Sequence, residues 1–98
     1  MPKVNVKKRH AVPLDDAKVR VKALVDDFVK EYSSVVKSVT WSPDGTSASA
    51  KGTGFEGAFR VDGSQVTVDV DLSFLLSPIK GKVEATLHKR LDDSFGNA

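Results

Sequence analysis

Val66-Thr67-Val68-Asp69-Val70-Asp71-Leu72-Ser73-Phe74 is the stretch that decides how the rest of the chain is read. Val66, Val68, Val70, Leu72 and Phe74 fall at every second position, and Thr67, Asp69, Asp71 and Ser73 fill the gaps. A period of two belongs to a strand, whose successive side chains leave opposite faces. Apolar residues on one side and acids or hydroxyls on the other mean one buried face and one wet face. That is the pattern of an antiparallel sheet covered on one side.

Working upstream, Asp62-Gly63 joins this run to another alternating one, in which Phe55, Phe59 and Val61 oppose Glu56, Arg60 and Asp62. An Asp-Gly pair between two such runs is a strong hairpin signal. The upstream run reads as one long strand from about Ser47 to Val61. Gly52, Gly54 and Gly57 interrupt it, which predicts a bulge or sharp bend. Ser42-Pro43-Asp44-Gly45 is a turn by composition, since proline presets φ and glycine accepts positive φ. Before it, Val35, Val39 and Trp41 alternate with Val36, Ser38 and Thr40 as a further strand, and Val4 and Val6 alternate with Lys3, Asn5 and Lys7 as a first one.

Two segments have the other period. Between Leu14 and Tyr32, Ala17, Val21, Leu24, Val25, Phe28 and Tyr32 recur at spacings of three and four, one stripe of an amphipathic helix. Asp15 and Asp16 stand at its start, where an acid caps free N–H groups and meets the positive end of the dipole. Downstream, Ser77-Pro78 predicts a helix start, serine as N-cap and proline at the first helical position. Ile79, Val83, Leu87 and Leu91 form its seam. Lys80–Glu84 and Lys89–Asp93 have the spacing of exposed ion pairs. Gly81 breaks the local rule, and close approach of the helix backbone to a neighbour is the expected reason. Phe95-Gly96 ends the helix, with Asn97 and Ala98 expected to fray. The order is β-α-β-β-β-α: an α+β fold in which both helices pack on the apolar face of a curved four-stranded antiparallel sheet.

The 98 residues suit a single domain spanning 1–98, and the hydrophobic fraction of 40% with 29% charged residues suits a globular one. There is no cysteine, which fits a reducing cytoplasm and excludes a disulfide framework. Val4, Val6 and Val12 are isolated among Lys3, Lys7, Lys8 and Arg9, so no signal peptide is expected. No run reaches the ~18 apolar residues of a transmembrane segment. Lys3, Lys7, Lys8 and Arg9 could touch phosphate, but lysines on an edge strand explain them more simply. The net charge of +2 is too small to argue for nucleic acid by itself, and the acidic side of the Asp69–Asp71 strand would repel phosphate.

Catalytic and metal signatures are missing. His10 and His88 lie in different elements with no ligand spacing. Asp69 and Asp71 share one strand face about 7 Å apart, which reads as a solvated face. Gly52-Thr53-Gly54-Phe55-Glu56-Gly57 spells a dinucleotide fingerprint but continues a strand instead of opening a helix. No cofactor, metal or catalytic residue is expected, and the protein reads as a non-enzyme. Trp41, Phe55, Phe59 and Phe74 are the candidates for an apolar pocket between sheet and helices, with plain core as the simpler reading.

The run Leu72-Ser73-Phe74-Leu75-Leu76-Ser77-Pro78-Ile79-Lys80-Gly81-Lys82-Val83-Glu84 resembles the signature of the polyhydroxyalkanoic acid system protein family. Weaker similarity extends to the basic strand ending at His10, the first helix, the Trp41 strand and the Asp62-Gly63 hairpin. The resemblance implies a bacterial cytoplasmic protein tied to storage-polyester synthesis or to the granule surface, with the granule or the synthase as partner. It carries no catalytic residues. The expected contact element is the helix from Ser77 to Leu91, with Lys80, Lys82 and Lys89 as its surface cations. The alternative expectation is a helix-grip domain holding a lipophilic, hydroxyacyl-type ligand in an enclosed cavity of at least ~300 Å³. Edge strands and a polar sheet face are compatible with a monomer or a dimer.

Overall fold

The computed structural model describes residues 3–96, so the fraying expected at Asn97 and Ala98 lies outside it. The elements are β1 (Lys3–Arg9), α1 (Leu14–Glu31), β2 (Val36–Trp41), β3 (Ser47–Gly52), β4 (Phe55–Val61), β5 (Gln65–Leu72), a 3-10 helix (Phe74–Ile79) and α2 (Lys80–Phe95). The strands form one antiparallel sheet in the order β1-β5-β4-β3-β2. The α+β class and the two helices stand as expected, but the sheet has five strands and not four.

The extra strand comes from the glycines. What reads as one bent strand from Ser47 to Val61 is a hairpin, β3 and β4, folded at Thr53-Gly54. Gly54 has φ +85°, a conformation that L side chains rarely adopt, and a Cβ there would sit 2.9 Å from Leu76 Cδ1. Gly52 has no room either. A Cβ would overlap the Phe55 ring and the Val35 carbonyl oxygen. Both glycines thus serve the turn and its close packing.

The register assigns the two faces. Val4, Val6, Val66, Val68, Leu72, Phe59, Val61 and Ala48 point to one side and form one core with Ala17, Val21, Leu24 and Val25 of α1 and Leu87, Leu91 and Phe95 of α2. Both helices therefore lie on one face, α2 along β1 and α1 on β4. The helices also hold each other. Arg20 donates to the Ser94 carbonyl oxygen, and Arg90 pairs with Glu31 while lying 4.6 Å from the Phe28 ring centre.

Several local expectations change. The α1 N-terminus has no side-chain cap; Asp15 and Asp16 lie inside its first turn, where they still face the positive end of the dipole. Ser77 is not an N-cap and Pro78 is not the first α-helical residue. Both belong to the 3-10 helix, and α2 begins at Lys80. Neither Lys80–Glu84 nor Lys89–Asp93 closes among the described residues, whereas Lys22–Asp26 on α1 does at 2.8 Å. The Asp62-Gly63 hairpin forms, but Gly63 is not at positive φ. The Asp62 carboxylate holds that turn, accepting from the Ser64 and Gln65 amides at 2.7 and 2.8 Å. Finally, Gly81 approaches nothing: a Cβ there would meet no atom within 4 Å.

The glycines separate cleanly in a test. Gly52→Ala should lose about 2–3 kcal/mol of stability, because the Val35 carbonyl cannot rotate away as a side-chain tip would. Gly81→Ala should gain about 0.4–1 kcal/mol through lower unfolded-state entropy and better helix propensity. Urea unfolding of the two variants beside the wild type measures both, and a stable Gly52→Ala variant would contradict the β3–β4 packing.

Candidate functional site

The signature segment leaves the sheet at Leu72. Ser73 is still extended and donates its N–H to the Gly54 carbonyl oxygen at 2.8 Å. From Phe74 the chain tightens into a 3-10 helix, with a period of three, so the strand alternation that would bury Phe74 ends one residue before it. Pro78 lacks the N–H an α-helix would need to bond back to Phe74, which favours the tighter turn. Leu76 folds down on Gly54 and is half-buried. Phe74 and Leu75 are left outside at 80% and 87% exposed, with Ile79 at 43%.

Phe74 and Leu75 are the most exposed of the large apolar side chains described, ahead of Val19 at 68%, and neighbouring exposed apolar groups of this kind mark interaction sites. Lys80 and Lys82 follow at once and are also exposed. Gly81 lies between them, on the open side of the first turn of α2. Lys89 is exposed but about 13 Å further along the helix from Lys80, so it is not part of the same patch. The apolar seam of α2 is already used: Leu87 and Leu91 are buried, and Phe95 joins them. The exposed apolar residues of this region therefore lie on the 3-10 helix that precedes α2 and not on the α2 seam.

The four aromatics do not converge on a cavity. Phe59 is in the core, 6.4 Å from the Phe28 ring. Phe55 packs half-buried beside Gly52, Trp41 lies at the β2 edge, and Phe74 is outside. Two open grooves of about 270 and 210 Å³ lie among the described residues, and of the four aromatics only Trp41 lines one of them. An interior ligand cavity is therefore not what these residues make.

The basic first strand is divided by its register. Lys3, Lys7 and Arg9 stand on the open face opposite Asp71, Thr67 and Gln65, while Lys8 faces the helices and pairs with Asp92 at 2.9 Å. Lys3 lies 3.8 Å from Asp71. Asn5 bonds to Asp69, so the two acids of β5 are held by β1. β1 is an edge strand, as the lysines imply. His10 and His88 are apart in role as well as position. His10 is buried, donates from Nε2 to the Asp62 carbonyl oxygen at 2.8 Å and lies 5.2 Å from the Phe95 ring, while His88 is exposed.

The second exposed feature is the β2–β3 turn. Asp44 accepts from the hydroxyls of Ser42 and Thr46 at 2.7 and 2.8 Å and from the Thr46 amide at 3.1 Å. Gly45 takes φ +73° to complete it. The Ser42 hydroxyl, then that of Thr46 and its amide, hold the Asp44 carboxyl at about 2, below the usual 3.8. Composition flagged this turn; nothing in the alternation pointed to a groove beside it.

The molecule is thus a small sheet-and-helix domain whose distinctive surface is an apolar turn with a basic rim. Its fold is similar to that in the crystal structure of TTHA0849 from Thermus thermophilus, with a TM-score of 0.50 and 12% identity. That match covers 97% of this chain and 90% of the other, and it bears on the fold alone. No curated protein matches the chain. The chain belongs to the family described as "putative polyhydroxyalkanoic acid system protein", which matches residues 4–95 and so includes both the turn and its supporting sheet. No described helix is long and apolar enough to cross a membrane.

The Asp44 turn makes a signed prediction. Its folded pKa is depressed, so the ionised form favours the fold; that contribution is complete above pH 3.8 and is lost as the pH falls through about 2. Asp62 shifts the same way, through the amides of Ser64 and Gln65 and then the Ser64 hydroxyl. An NMR titration should place the Asp44 carboxyl midpoint near 2, and Asp44→Asn should flatten that part of the acid-unfolding curve. A midpoint near 3.8 would mean that the three hydrogen bonds are not made.

Proposed function

We propose that this protein is a non-enzymatic accessory protein of polyhydroxyalkanoate granules or their synthesis, acting in the cytoplasm, and that it meets the polyester through the 3-10 helix. The observation that carries the reading is the exposure of Phe74 and Leu75 on a turn anchored to the sheet by Leu76. A granule of storage polyester offers an apolar surface in water. Burying a Phe or Leu side chain in such a surface contributes about 1.5–3 kcal/mol. Two together give reversible adsorption, since ordering the contact offsets part of the gain. Lys80 and Lys82 stand at the edge of the patch, where cations stay in water beside an apolar phase. The family's association with the polyhydroxyalkanoic acid system supports polyester as the apolar phase.

The test is co-sedimentation with purified polyester granules at physiological salt. Wild-type protein should sediment with the granules, and Phe74→Ser/Leu75→Ser should reduce the bound fraction at least ~10-fold. Both residues are outside the core, so the thermal midpoint of the double variant should stay close to that of the wild type. If wild-type protein stays in the supernatant, or if the double variant binds equally well, the reading is wrong.

A further inference from the structure

The two edges of the sheet are not alike. β1 and β2 are the outer strands, so each leaves a row of backbone N–H and C=O groups without a strand partner. At β1 that row runs past Lys3, Lys7, Lys8 and Arg9, cations of the kind that stop one sheet from adding to another. From Ser38 to Ser42 the β2 edge carries no charge and no proline. Neither helix packs extensively on β2, which leaves this edge open.

The hydrogen-bond ladder fixes which groups face outward. Ser42 donates its N–H to the Ser47 carbonyl oxygen at 2.9 Å, and antiparallel bonding alternates from there, so Thr40 bonds inward to Ser49. The N–H and C=O groups of Val39 and Trp41 therefore point away from the sheet. Their side chains lie half-buried on the helix side, and the Thr40 side chain is exposed on the open face.

We infer that this edge is a seam between two copies of the chain, paired antiparallel about a two-fold axis at Thr40. In that register Val39 of one copy stands opposite Trp41 of the other, and Thr40 stands opposite Thr40. The outward N–H and C=O groups of each Val39 then meet those of the other copy's Trp41 on both sides of the axis. Aromatic–β-branched and Thr–Thr pairs are among those that stabilise neighbouring strands. The irregular part of β2, between Val36 and Ser38, lies beyond this register. The next charges past each end are Lys37 of one copy and Asp44 of the other, opposite in sign. Such an isologous pair leaves only the cationic β1 edges free, so the assembly closes at two copies. A seam this short buries less than the ~1,200 Å² of a standard interface, and the dimer is a weak one.

Sedimentation equilibrium of the full chain should show a mean mass rising from one copy towards two between about 10 μM and about 1 mM, where a weak Kd is read. Amide hydrogen exchange at Val39 and Trp41 should slow as the concentration rises. Thr40, bonded inward in the single copy already, should be protected throughout. Thr40→Lys sets two ammonium groups opposite each other at the axis and should weaken the dimer at least ~10-fold. Thr40 is exposed, so the thermal midpoint of that variant in dilute solution should stay close to the wild type's. Val39→Pro removes an outward N–H that the single copy does not use, and it should abolish the slowing at Trp41. Phe74→Ser/Leu75→Ser should leave the association unchanged, which keeps this result separate from the granule test. A single-copy mass throughout, growth beyond two copies, undiminished association of Thr40→Lys, or association lost in Phe74→Ser/Leu75→Ser would each overturn the assignment.

Discussion

The pairing of β1 with β5 is the constraint on which the rest of the structure depends. It joins Lys3–Arg9 to Gln65–Asp71 in unbroken antiparallel register and sets Val4 beside Val70 and Val6 beside Val68. Val66 and Val68 are fully buried, and so is Val6, because this pair presents them side by side to the helices that cover the face. The same pair makes the floor on which α2 lies, and it sets Lys8 within reach of Asp92. His10 extends the connection, bonding to the β4–β5 turn while its ring meets Phe95 at the end of α2. Bringing the first strand beside the last carries a non-local loop-closure cost.

The exposed chemistry follows from how that sheet ends. At the Leu72 end, the β3–β4 turn lies beside the outgoing chain, and Gly54 leaves a space that Leu76 fills. Anchoring through Leu76 holds the 3-10 helix in place while Phe74 and Leu75 stay in water. At the β2 edge, by contrast, the helices do not reach the last strand, and Trp41 is left facing Val19 across an open groove. One surface is an apolar projection with lysines beyond it; the other is a shallow, open groove lined by Val19, Trp41 and Pro43. They occupy different rows of the same sheet, so each is open to alteration by itself.

Much of this was legible in the residues themselves. The alternation from Val66 to Leu72, the spacing of Ala17, Val21, Leu24 and Val25, and the Asp62-Gly63 turn all come from local patterns that a strand, a helix or a hairpin imposes on its own residues. Those elements stand as read. The signature from Leu72 to Glu84 was legible as well, and with it the family.

What the pattern could not show depends on partners distant in sequence. A glycine interruption looks the same in a bent strand and in a hairpin; only the fit of Leu76 against Gly54 and of Phe55 against Gly52 decides for the hairpin and adds the fifth strand. Phe74 continues the apolar alternation by position, but the chain has turned into a 3-10 helix by then, so its side chain points to water. Ser77-Pro78 has the composition of a helix start, yet α2 begins two residues after Pro78. By itself the sequence determined most of the element types and most of the buried stripes, because those are written in periods of two and of three to four residues, and its Leu72–Glu84 signature determined the family; Tyr32, Phe74 and Ile79, placed on those stripes by period, are exposed. The tertiary structure alone decided the strand order, the exposure of Phe74 and Leu75 and the Trp41 groove, because each arises where residues far apart in the chain meet or fail to meet.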